Sequence, residues 1–108
     1  MTWYRKLYVG KLISSRVTEL RRRIEKGEYP PGIWLITIAG NPQNQLELYR
    51  ASELSNPVAA GHVQMIVGLA FSREEALVLL EQIAKDALDS DGSADMRAFL
   101  LREEAKAG

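Results

Sequence analysis

The chain has 108 residues, 46% apolar and 26% charged, and its fourteen basic side chains balance fourteen acidic ones. That size is typical of one domain able to bury a core unaided, so residues 1–108 are read as a single α+β domain. The lack of cysteine excludes a disulfide framework and a thiolate metal site. No apolar run approaches the ~20 residues of a membrane span, and Met1-Thr2-Trp3-Tyr4-Arg5-Lys6 lacks a signal-peptide core; a cytoplasmic protein without a membrane partner is expected.

Trp3–Val9 is aromatic-rich and loosely alternating, an extended segment or short edge strand ending at Gly10. From Leu12 the period changes: Ile13, Val17, Leu20 and Ile24 form one helical stripe, predicting a helix over about 12–26 with Ser14 or Ser15 as its cap. Gly27 suits the position after its end, and Pro30-Pro31 forbids continuation. The run 33–39 (Ile-Trp-Leu-Ile-Thr-Ile-Ala) is β-branched and apolar on both faces. Turn residues 40–44 join it to the alternating run 45–50, predicting a hairpin. Residues 51–61 read as a loop with one helical turn at 52–54. In 63–69, Val63, Met65, Val67 and Leu69 alternate as inward positions. Ser72-Arg73-Glu74-Glu75 is a capping box that opens a helix over 73–88, with Glu75 returning to the Ser72 backbone N–H. A shorter helix from about Ala94 offers Met96, Phe99 and Leu100 as its buried face.

These elements predict a three-stranded antiparallel sheet, with room for the N-terminal edge strand, and two main helices plus a short C-terminal helix on one face. Either 33–39, by its two-sided hydrophobicity, or 45–50, by the simplest meander, is central. Trp34, Ile36, Ile38 and Ile66 would then point to the uncovered face, too much apolar surface to leave in water. Either the Trp3–Val9 segment lies across them or a second copy does, which makes these four the candidate dimer face.

Few residues suggest chemistry. His62 stands at the start of a strand without an adjacent carboxylate or ligand partner and is read as a strand-end histidine. Val67–Ser72 has the layout of an anion site before a helix, but it lacks a phosphate loop's glycines and lysine, and Glu74 and Glu75 would repel an anion. Close packing of Gly68 against the helix 73–88 is the preferred explanation. No catalytic residue, cofactor site or metal site is assigned. Charge is unevenly spread: residues 1–28 carry eight basic and three acidic side chains, the remainder six and eleven. Arg21, Arg22, Arg23 and Lys26 are the candidate nucleic-acid contacts, weighed against a solvated helix face with internal ion pairs.

Tyr8-Val9-Gly10, Leu35–Ile38 followed by Asn44–Tyr49, Ile66–Ala70 with Glu75-Ala76-Leu77, and Asp95-Met96-Arg97 give the chain a cadence that resembles a group of small bacterial proteins of clostridial type. The resemblance implies a self-contained domain; the group has no established activity and brings no catalytic residue. The leading expectation is a non-enzymatic interaction domain acting as a homodimer. A nucleic-acid-associated accessory protein comes second, and an enzyme third.

Overall fold

The computed structural model describes residues 1–107. In chain order it runs β1 (Trp3–Val9), a 3-10 segment (Lys11–Arg16), α1 (Val17–Glu25), β2 (Trp34–Ala39), β3 (Glu47–Arg50), a second 3-10 segment (Ala51–Ser55), α2 (Pro57–Gly61), β4 (Val63–Ala70), α3 (Arg73–Asp91) and α4 (Met96–Ala107). The class is α+β, as expected. The sheet, however, has four strands in the order β1-β4-β2-β3, and it is mixed. β2 pairs antiparallel with both β3 and β4, while β1 joins the outer side of β4 in parallel. The three-stranded antiparallel sheet is corrected accordingly. Trp3–Val9 is not a lid: Ile66 N–H donates to Thr2 O and Gly10 N–H to Leu69 O, both at 2.9 Å, tying both ends of β1 into the sheet.

The two-sided hydrophobicity of β2 explains its central place. Leu35, Ile36 and Ile38 are all fully buried, which requires a cover on each face. On one face, Ile13, Leu20 and Ile24 pack on Leu35, Ile66 and Leu69. On the other, Ala76, Ile83, Ala87, Phe99 and Leu100 pack on Ile36, Ile38, Met65 and Val67. The helices therefore do not share one face: α1 lies on one side, and α3 and α4 on the other.

Two bulges in β4 divide the stripe expected to be inward. Thr37 faces Ile66 but Ile36 faces Gly68, leaving Val67 as the extra residue; likewise Ile38 faces Met65 and Ala39 faces Val63, leaving Gln64 extra. An inserted residue resets the alternation, so Met65 and Val67 join the α3 side while Val63 and Leu69 join the α1 side. Gly68 packs against β2 rather than α3: a Cβ there would lie 2.9 Å from Ile36 Cδ1 and 3.2 Å from Ile36 Cβ.

The helix expected over 12–26 is divided. Neither serine caps α1; Ser14 Oγ donates instead to Lys11 O at 3.2 Å, within the 3-10 segment. After α1, Gly27 turns the chain at φ +82°, as its position suggested. The loop 51–61 holds more helix than expected, because Pro57 opens α2 as its first residue, and Asn56 Oδ1 accepts from Val58 N–H at 2.9 Å. α3 runs three residues past its expected end, to Asp91, and stops at left-handed Gly92.

Candidate functional site

The expected dimer face does not exist as one surface. Ile36 and Ile38 lie under α3 and α4, Ile66 lies under α1, and all three are fully buried. Trp34 is half-buried on the α3 side, with the Arg50 guanidinium 5.3 Å from its ring centre. The bulge at Val67 and the helices on both faces consume the apolar surface that the sequence left uncovered.

Val58 and Leu88 remain exposed elsewhere, and a further part of the open apolar surface lies at the ends of β1 and β4. These parallel neighbours finish side by side, and the chain then leaves them for opposite faces, Lys11–Arg16 and α1 to one and α3 to the other. Divergence of this kind leaves a crevice beyond the strand ends. Here it is a groove of about 460 Å³ with Val9, Gly10 and Lys11 on one wall and Glu74, Val78, Leu79 and Gln82 on the other. Glu75 closes its end. One carboxylate oxygen accepts from Phe71 N–H at 2.7 Å and the other from Leu12 N–H at 3.4 Å, so a single side chain bridges the two diverging segments. Ser72 caps α3 as expected, accepting from Glu75 N–H at 3.1 Å, but Glu75 returns to Phe71 rather than to Ser72. The carboxylate thereby fills the position that an external anion would need. Val78 of the α3 wall, and Leu12 and Phe71 whose backbone N–H groups Glu75 holds, have 62%, 72% and 46% of their surfaces exposed.

The basic residues follow α1. Arg16 pairs with Glu19 at 3.5 Å and Arg23 with Glu28 at 3.4 Å. Arg21 lies over the Trp3 ring, 4.8 Å from its centre, and Trp3 is buried with its indole N–H unpaired. Arg22 and Lys26 are exposed. Thr18, Arg21, Arg22 and Glu25 line a shallow depression of about 270 Å³. On the other side of the sheet, Tyr4 and Tyr8 stack with ring centres 6.2 Å apart, and Tyr8 O–H donates to Asp86 at 2.5 Å. Burial and then that hydrogen bond hold the Tyr8 phenol well above its ordinary range. The Tyr49 phenol, donating to Glu47 at 2.6 Å and partly desolvated, is pushed up to about 12.

His62 is exposed at the end of α2. Among the described residues there is no group of three or more His, Asp or Glu side chains able to hold a metal, and no helix is long and apolar enough to cross a membrane. The groove was missed in sequence because its walls meet only through the β1–β4 pairing. A signal was present in Val78, an apolar residue on α3 outside the stripe that Ala76, Ile83 and Ala87 bury. Comparison with protein-family models, curated proteins and solved structures finds no match.

Proposed function

We propose that this chain is a non-enzymatic interaction domain that works as a homodimer, joined through the groove between the end of β1 and α3. The observation that carries the reading is a groove walled by Val9, Val78 and Leu79, with Val78 well exposed and the exposed Leu12 and Phe71 tied to its end through the Glu75 carboxylate. Single exposed apolar residues are ordinary, whereas a cluster at a groove marks an interface. A second copy is favoured as occupant because the rims are self-complementary. Lys11 stands on one wall and Glu74 on the other, so a two-fold axis across the groove sets each copy's Lys11 against its partner's Glu74.

Burying a side chain of valine size is worth about 1.5–3 kcal/mol when complete, and Val78 has over half of its surface still to bury, twice per dimer. Val78→Asp should therefore weaken the dimer at least tenfold, a change of about 1.4 kcal/mol or more. Sedimentation equilibrium on the wild type and on Val78→Asp, Lys11→Glu, Glu74→Lys and the combined reversal tests the reading. The single reversals should dissociate the dimer and the double reversal should restore it. A wild type that stays monomeric at high micromolar concentration overturns the proposal, as does a dimer indifferent to Val78→Asp.

A further inference from the structure

A different surface points to a second kind of partner. The molecule's charge is divided by its sheet: the segment 11–28 on one face has six basic and three acidic side chains, while 73–107 on the other has five basic and nine acidic. A polyanion would therefore meet this protein on the α1 side. There Leu20 and Ile24 of α1 are buried and Val17 is half-buried, and the exposed residues of the helix, Thr18, Glu19, Arg22 and Glu25, are all polar.

Arg22 and Lys26 lie one turn apart on this surface, four residues and about 6 Å along the axis, with Thr18 a further turn back. No ion pair occupies Arg22 or Lys26 among the described residues. Arg21 sits over the Trp3 ring, 4.8 Å from its centre, and no ion pair among the described residues occupies its guanidinium. Arg21 and Arg22 share their depression with the Thr18 hydroxyl and the Glu25 carboxylate, and no ion pair ties Glu25 to either. Two guanidinium groups and a following ammonium outnumber the single Glu25 carboxylate and, with the Thr18 hydroxyl, make a donor row suited to phosphate oxygens.

We infer that the outer face of α1, through Thr18, Arg21, Arg22 and Lys26, contacts the phosphate backbone of double-stranded nucleic acid. A duplex is favoured over a single strand because base stacking needs exposed aromatic faces. Trp3 is buried beneath Arg21, and Tyr4 and Tyr8 belong to the opposite core. It is favoured over an anionic membrane because a helix that inserts there needs apolar side chains on its outward face. With no base-reading motif behind it, the contact is independent of sequence.

The test is fluorescence anisotropy with a labelled duplex of about 20 base pairs, from about 20 mM salt upward. The wild type should bind, with affinity falling steeply as salt rises. Arg22→Gln/Lys26→Gln should reduce affinity about tenfold or more at low salt and make the salt slope shallower by about two. Arg22→Lys/Lys26→Arg should preserve binding. Both sites are exposed, so thermal melting should report an unchanged fold. No binding at about 20 mM salt overturns the inference, as does binding unchanged by the Gln variant, or a preference for vesicles of phosphatidylserine and phosphatidylcholine over the duplex.

Discussion

Gly10→Ala should destabilise the protein although the backbone at Gly10 suits alanine. Its φ of −63° and ψ of 147° are ordinary extended values, so the substitution by itself should stabilise by about 0.4–1 kcal/mol through the unfolded chain. The obstacle is Glu75. A Cβ at position 10 would fall 1.9 Å from Glu75 Oε1, 2.1 Å from Cδ and 2.8 Å from Cγ, so the carboxylate must leave. Its departure breaks the hydrogen bonds from Phe71 N–H and Leu12 N–H, at a cost of about 1.5–3 kcal/mol for bonds to a charged acceptor. The net loss is about 1 kcal/mol. In a Glu75→Ala background the three colliding atoms are absent, and Gly10→Ala should become neutral or mildly stabilising. Urea denaturation of the four proteins in this double-mutant cycle gives the coupling energy, expected at about 1.5–3 kcal/mol. Additive losses, with coupling below about 0.5 kcal/mol, would refute the bridging role assigned to Glu75.

Other expectations address the core, the cap and pH. Ile83→Ala removes a fully buried side chain from under the sheet and should cost about 2–5 kcal/mol in denaturant unfolding. Ser72→Ala should cost about 1 kcal/mol by uncapping α3, measured in the same way. Gly68→Ala should lose about 1–3 kcal/mol, because the approach to Ile36 Cβ cannot be relieved by rotating a side-chain end. Tyr49 has a folded-state pKa raised from the ordinary 10 to about 12, so its folded form holds the proton more tightly than the unfolded form. Its contribution is fully present below pH 10 and lost as pH rises toward about 12, a decline that Tyr49→Phe should flatten in alkaline denaturation curves.

What could be read in the sequence was local. The Ser72 cap, Gly27 as a helix terminator and the Phe99-Leu100 face of α4 depend on neighbours within a few residues, and each appears in the structure; of the apolar face read on 73–88, Ala76, Ile83 and Ala87 are buried but Leu77 and Leu88 are exposed. The failures depend on distance along the chain. A stripe such as 63–69 looks one-sided until a bulge inserts Val67, for which the neighbouring Gly68 was the one local signal. Ile36 and Ile66 were assigned to one face on an unbroken alternation, and one extra residue separated them. Placing α1 across the sheet from α3 required knowing that β1 pairs with β4. The groove inherits that difficulty, since each wall is an ordinary surface until Glu75 meets the backbone of Leu12.

The parallel pairing of β1 with β4 also governs the order of events during synthesis. β1 is made before the other strands of this sheet, yet the residue that Trp3 faces is Ile66, about sixty residues downstream. At translation rates of roughly 5–20 residues per second, the N-terminal aromatic segment waits about 3–12 s before its partner exists. During that interval an unpaired strand bearing Trp3, Tyr4, Leu7, Tyr8 and Val9 can associate with another nascent chain. Arg5 and Lys6 interrupt it midway, and both are exposed where the register between Trp3 and Tyr8 is irregular. Charges within an aggregation-prone strand act as gatekeepers. The irregularity in β1 thus lets the finished sheet retain two cations that protect the unfinished chain.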